Sequence, residues 1–244
     1  MASLKRWSYL LLLGSLGCSK APPPSQFPTA QAALARMKAV YACTRGVQGD
    51  GKLDHMNEAG RIRGDVMLLA VDPARVRFDV VSPFGVTLAT LTSDGQRFSF
   101  FDMKNSAFLE GPPEPCNIAR LTQVRMPAHA LVQLLRGEAP ILVHKPEAAT
   151  IQWNGSGYYR VQIPSRHEAM QELHLEPNPS DYALPYQQQR VRVLYVRVTQ
   201  RDYVHFEASL FDHADAVTMQ ARVDELGIDP DRIGLAHRRD QGRP

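Results

Sequence analysis

The sequence is poor in cysteine, in long apolar runs and in charge of one sign. Its three cysteines among 244 residues are too few for a disulfide-rich scaffold. Its apolar runs are shorter than the ~20 residues that a membrane-spanning helix needs. The 28 basic and 25 acidic residues alternate along the chain and leave a formal charge of only +3. Neither a nucleic-acid partner nor an acidic membrane surface is indicated.

Motifs for catalysis are also missing. The chain has no Gly-x-Ser-x-Gly elbow, phosphate-binding glycine loop, His-Glu-x-x-His or Cys-x-x-Cys. The eight histidines show no metal-ligand spacing. The tight polar cluster at 212–215 is interpreted as a capped turn, because a metal site needs three or four converging ligands. We therefore expect that the protein is not an enzyme and that it binds no metal or cofactor. An unrecognised hydrolase is the minor alternative.

The first residues form a processing signal. Lys5 and Arg6 precede the apolar run that contains Leu10–Leu13, and Gly17 stands directly before Cys18. This order resembles the lipobox of bacterial lipoproteins. The resemblance implies that residues 1–17 are a signal peptide and that Cys18 carries a covalent lipid. An ordinary cleaved signal with an incidental cysteine is the alternative.

The rest of the chain is predicted to form a tether, one domain and a tail. Residues 18–28 are proline-rich and are predicted to be an extended tether behind the lipidated cysteine. Residues 29–222 are predicted to be one domain, and residues 223–244 a polar, frayed tail. Because the residue after Cys18 is not aspartate, resemblance to sorted lipoproteins implies an outer-membrane address facing the periplasm, with the leaflet left open.

Two cysteines remain if Cys18 carries lipid. In an oxidising compartment, an even pair predicts a disulfide between Cys43 and Cys116. The count of cysteines does not show that the two lie close together.

The pattern of the domain is mainly β. An amphipathic helix is predicted over residues 29–43, and two short helices over 117–124 and 128–136. Alternating apolar and charged residues predict short antiparallel strands on both sides of the two helices. The predicted strands are 61–71, 75–80, 86–92, 96–102, 107–110, 150–153, 158–163, 171–176, 189–199, 203–210 and 217–222. The expected fold is a mainly β (α+β) domain, a strongly curved antiparallel sheet of about 10–12 strands with helices over one face.

One stretch carries a resemblance to a known family. The strand and turn Arg75–Gly85, the strand Thr87–Thr92 and the Asp94-Gly95 hairpin are similar to the strand, Pro-Leu-Gly turn, strand and Asp-Gly hairpin of the LolA/LolB lipoprotein carriers. The match covers residues 29–140, and beyond them only the strand pattern is shared. The resemblance implies a half-open β-barrel with a helical lid, whose apolar interior receives acyl chains.

The resemblance also implies site residues. Phe84 takes the place of the apolar turn residue that helps to pass lipoproteins into the membrane. The predicted ligand-binding residues are Leu34, Met37, Val76, Phe78, Val80, Phe84, Val86 and Leu88. The expected function is a membrane-anchored envelope lipoprotein that binds acyl chains or lipoprotein cargo. The alternative is a non-catalytic scaffold or assembly lipoprotein whose own side chains fill the cavity.

Overall fold

The computed structural model describes residues 19–57, 60–122, 126–201, 203–213, 216–222 and 235–238. Within these ranges, the side chains at 53–57, 60–62 and 120–122, and all those from 211 onward, are not described. Cys18 and the predicted signal peptide lie outside the described residues, and so do residues 214 and 215 of the cluster at 212–215.

The chain forms two antiparallel sheets joined by helices. The first sheet has six strands in sequence order. They are β1 Gly46–Asn57, β2 Gly60–Val71, β3 Arg75–Val81, β4 Thr87–Ser93, β5 Phe98–Asp102 and β6 Ala107–Gly111. The second sheet has seven strands, also in sequence order. They are β7 Thr150–Asn154, β8 Tyr158–Pro164, β9 Ala169–Pro177, β10 Val191–Gln200, β11 Tyr203–His213, β12 Ala216–Arg222 and β13 Leu235–Arg238.

This architecture confirms a mainly β fold and corrects its details. The strands form two separately paired sheets rather than one continuous curved sheet, and the described residues contain 13 strands rather than 10–12. The additional strands are β1 and β13. The range predicted as a frayed tail therefore includes a strand, which pairs with β12.

In the described part of the chain, three α-helices cover the sheets. They are α1 Ala30–Tyr41, α2 Pro115–Thr122 and α3 Ala128–Leu135. Thr29 Oγ1 accepts a hydrogen bond from Ala32 N at 3.2 Å and caps α1, an interaction usually worth about 1 kcal/mol. Helix α1 packs on β10 of the second sheet, α2 on β4, and α3 on β2 and β3. One hydrophobic core lies between the helices and the sheets.

Inward-facing residues form cross-strand rows in the first sheet. Phe78 of β3 is directly opposite Leu68 of β2 and Leu91 of β4. The three side chains are at most 5% exposed. Neighbouring apolar side chains at this spacing stabilise the sheet by direct contact.

The segment Ser19–Phe27 does not form the extended tether that was predicted. Lys20 N donates to the carbonyl oxygen of Gly155 at 2.7 Å. Phe27 is only 5% exposed, within the core. Proline-rich composition indicates that a segment lacks internal structure, but it does not exclude docking onto a neighbouring surface.

The predicted disulfide is likewise not formed. Cys43 and Cys116 are both free and exposed. Cys43 follows α1, which packs on the second sheet, whereas Cys116 is the second residue of α2, which packs on the first. The number of cysteines could not predict on which sheet each of the two helices packs.

Candidate functional site

The turn between β3 and β4 is closed by its own backbone and one serine. Ser82 N donates to Val86 O at 2.7 Å, and Gly85 N donates to Ser82 O at 2.9 Å. Ser82 Oγ accepts from Val86 N at 3.1 Å. Gly85 has φ +79°, a conformation that glycine adopts without strain. The side chain of Phe84 takes no part in closing the turn.

Phe84 points into solvent. Its side chain is 93% exposed, so it does not fold back onto the core. A fully exposed phenylalanine forgoes the ~1.5–3 kcal/mol that burial would provide. This is the residue that the sequence analysis placed at the tip of the turn.

Other exposed apolar side chains lie at the same end of the first sheet as Phe84. Val86 follows it in the same turn, and Met103 belongs to the β5–β6 turn at the same end of the sheet, where Met103 N donates to Leu88 O at 3.0 Å. Phe101 and Phe108 are direct cross-strand partners on the outer face beside that turn. These four side chains are 38–64% exposed. Phe84, Val86, Phe101, Met103 and Phe108 are called the apolar tip below.

The predicted interior residues divide into two groups. Leu34, Met37, Val76, Phe78 and Val80 are all buried in the core, at 5% exposure or less. Val86 is 49% exposed and precedes β4. Leu88 is only partly buried.

The prediction for β4 was wrong in its alternation. Val80 pairs with Ala89, Phe78 with Leu91 and Val76 with Ser93, so Ala89, Leu91 and Ser93 share the inward face of β4. The register shifts by one residue between Val80, which pairs with Ala89, and Val81, which pairs with Thr87. An irregularity of this kind reverses the expected alternation of faces, and the residue pattern of the single strand did not reveal it.

The helix that covers β3 is α3 and not α1. Leu34 and Met37 belong to α1, which packs on β10, whereas α3 covers β2 and β3. The five buried ligand-binding candidates therefore share one core, but they come from opposite sides of it. Their burial is what a packed core requires.

An open pocket of about 340 Å³ lies on the first sheet, at the end opposite the β3–β4 turn. Its lining includes Arg75, Arg97, Asp94 and Glu110, together with the hydroxyls of Thr92 and Ser99. The two hydroxyl oxygens are 2.6 Å apart and share a hydrogen bond. Phe98 is the one apolar side chain of this lining, which otherwise consists of charged and hydroxyl-bearing residues and so differs from the apolar space that was expected for acyl chains.

The outer face of the second sheet carries a polar aromatic row that sequence inspection missed. The ring of His174 stacks between Tyr158 at 4.3 Å and Tyr195 at 4.7 Å. Burial raises the pKa of Glu172, but hydrogen bonds from Arg160 and His174 outweigh it and leave that pKa below its usual value. Tyr195 donates to Glu207 Oε1 at 2.5 Å. The rings stack on one another and the charges are paired, so the polar groups of this row find their partners within the sheet itself.

Two features are absent from the described residues. Among them, no helix is both long enough and apolar enough to cross a membrane. The same part of the chain brings together no group of His, Cys, Asp or Glu side chains able to hold a metal ion.

Comparison of the chain with models of known protein families gave no match, and comparison with curated proteins gave none either.

Proposed function

We propose that this protein is a membrane-anchored envelope lipoprotein, acylated at Cys18, which contacts acyl chains or lipoprotein cargo through the apolar tip. The observation that carries the proposal is the 93% exposure of Phe84 at a turn that closes without it. Contiguous exposed apolar side chains are uncommon on a surface that binds nothing. The lipobox-like start supplies the anchor, and the outer membrane facing the periplasm is the proposed location.

The resemblance to the LolA/LolB carriers supports the same proposal. In that interpretation, the two sheets together act as the half-open barrel and the three helices as its lid. The Cα atoms of β1 and β13, an edge strand of each sheet, approach within 8 Å. The wide opening then lies between β6 and β7, which are connected through α2 and α3.

The location of the acyl contact differs from that expectation. The interior candidates are packed in the core, so we assign the contact to the apolar tip rather than to a preformed interior cavity. The tip offers a short apolar surface. Lys104 follows Met103 along the chain, is exposed, and can pair with the phosphate of a lipid headgroup. Such a surface suits brief contact with an acyl chain during transfer.

Substitution of Phe84 tests the proposal. Phe84→Glu places a charge on the tip, whereas Phe84→Leu keeps an apolar side chain and is the matched control. The assay measures transfer of a fluorescent triacylated lipopeptide from albumin to vesicles that carry the acylated protein. Losing a contact of ~1.5–3 kcal/mol should slow transfer by Phe84→Glu about tenfold or more, with Phe84→Leu close to the original protein.

Stability separates this role from a structural one. Exposed substitutions change stability by about 0.5 kcal/mol or less, so both variants should melt within ~2 °C of the original protein. Unchanged transfer by Phe84→Glu would contradict the proposal. A large drop in its melting temperature would contradict the exposure on which the proposal depends.

A scaffold or assembly lipoprotein without a ligand is the second candidate. The dense burial of Leu34, Met37, Val76, Phe78 and Val80 favours it, because a filled interior leaves those residues no ligand to bind. On this interpretation the apolar tip contacts a partner protein. The transfer assay distinguishes the candidates, since a scaffold would show no transfer dependent on Phe84.

A further inference from the structure

The segment Ser19–Phe27, called the strap below, is fixed to the second sheet at its first residues. Lys20 N donates to Gly155 O at 2.7 Å. The indole Nε1 of Trp153 donates to Lys20 O at 2.9 Å. Both backbone polar groups of Lys20 are therefore paired with the β7–β8 hairpin, as they would be with a neighbouring strand.

The turn of the β7–β8 hairpin lies close to the first two residues of the strap. A Cβ atom on Gly155 would lie 2.5 Å from Ser19 Oγ, and one on Gly157 would lie 2.5 Å from Lys20 Cδ. Gly157 also has φ +103°, which side chains rarely adopt. The two glycines thus let the side chains of Ser19 and Lys20 lie directly against the turn.

The far end of the strap is fixed as firmly. Gln189 is fully buried, and its Nε2 donates to Ser25 O at 3.0 Å. Tyr186 N donates to Ser25 Oγ, also at 3.0 Å. The ring of Phe27 packs edge-on against Tyr159 at 5.2 Å and Tyr186 at 5.5 Å. A segment anchored at both ends cannot act as a free spacer.

We propose that the strap holds the lipid anchor against the β7–β8 turn, so that this end of the second sheet rests on the headgroup layer of a phospholipid bilayer. The inference builds on the proposed acylation of Cys18. Cys18 lies two residues before Lys20, and chain geometry limits the separation of their Cα atoms to about 7 Å. The lipid therefore leaves the protein beside the turn instead of at the end of a long tether.

The chemistry of this end suits a headgroup layer. Trp153 and Tyr158 flank the turn and are both half-buried, and amphipathic aromatic rings of this kind are enriched at membrane–water interfaces. The exposed Lys20 can pair with lipid phosphate, and the exposed Ser156 at the tip of the turn is polar. The β9–β10 loop lies at the same end of the sheet and adds Leu184, which is 38% exposed. The strap thereby fixes the orientation of the domain on the membrane.

Fluorescence quenching by a headgroup-attached quencher tests this orientation. The acylated full chain, with Cys43→Ser and Cys116→Ser, carries one fluorophore on Ser156→Cys or on Arg166→Cys. Position 166 is the matched control, because it follows the opposite end of β8, roughly 25 Å away along the strand. In phospholipid vesicles, we expect quenching several-fold stronger at 156 than at 166.

A spacer variant isolates the contribution of the strap. Insertion of a flexible Gly-Ser spacer of about ten residues between Cys18 and Ser19 leaves the strap docked but separates it from the lipid. The difference between the two positions should then largely disappear. If the difference persists with the spacer, the strap does not set the orientation and the inference is overturned.

The mass of the N-terminal peptide, measured on the same preparations, separates the two proposals. An unacylated Cys18 would overturn both the lipoprotein assignment and the role of the strap. An acylated Cys18 with equal quenching at 156 and 166 would overturn the role of the strap alone.

Discussion

Asp181 is the residue that fixes the loop beneath the strap. Arg190 donates to both of its carboxylate oxygens, from Nε at 2.8 Å and from a terminal guanidinium nitrogen at 2.9 Å, and the backbone N of Arg190 adds a third bond at 2.9 Å. These bonds lower the pKa of Asp181 from 3.8 to about 2. The same loop supplies Tyr186 and Gln189 to the strap.

Stability should therefore depend on pH through Asp181. As pH falls from about 4, the unfolded chain takes up a proton at Asp181 before the folded protein does. The stabilisation by the ionised carboxylate is complete above the ordinary pKa and is lost as pH falls through about 2. In urea unfolding, Asp181→Asn should be less stable than the original protein at pH 6, and the gap should narrow by pH 2. A gap that is constant across this range would contradict the assignment.

At the scale of the residue, the sequence predicted a position correctly where that position depends only on neighbours along the chain. Phe84 was placed in a turn by the resemblance to the LolA/LolB carriers, and the proline and glycine on either side of it are local turn signals. The partners of Asp181 and of Lys20 could not be predicted in this way. Each contact joins segments that are distant along the chain, and no local pattern encodes such a pairing.

At the scale of elements, the alternating strand β3 carries the core of the first sheet. Phe78 is 5% exposed between Leu68 and Leu91. Phe78→Ala should lower the free energy of unfolding by roughly 3–5 kcal/mol, the usual range for a truncated core aromatic. Phe101→Ala is the control, because Phe101 is on the outer face of β5 and 38% exposed. Equal losses in denaturant unfolding would show that the inward face of the sheet has been assigned wrongly.

Strands with strict alternation were predictable, and irregular ones were not. The predicted range of β3 agrees with Arg75–Val81 because charged and apolar residues alternate through it. Strand β1 was missed, since Gly46, Gly49 and Gly51 weaken any local preference for a strand. It forms because it pairs along its whole length with β2, from Gly46 opposite Val71 to Asn57 opposite Gly60. In β10, a register shift between Val193 and Tyr195 lets Val193 and Val196 both face inward, which a regular period of two would not allow.

At the scale of the whole molecule, composition predicted the class of fold but not how its parts are assembled. The alternation of apolar and polar residues, together with the positions of proline and glycine, predicted a mainly β domain with helices between two groups of strands. The division into two sheets, the packing of α1 on β10 and the docking of the strap depend on contacts between distant segments. The separation of Cys43 and Cys116 has the same origin.

The lipid on Cys18 is the central claim, because the role of the apolar tip and the role of the strap both depend on membrane anchoring. One acyl chain binds a membrane only marginally, so stable anchoring requires two or three. Mass spectrometry of the N-terminal peptide from the protein purified out of its native membrane tests this directly. We predict a peptide that begins at Cys18 and carries the mass of two or three acyl chains, and Cys18→Ser should be left uncleaved or released from the membrane fraction. An unmodified peptide that begins at Cys18, or a correctly processed Cys18→Ser protein retained in the membrane, would contradict the account.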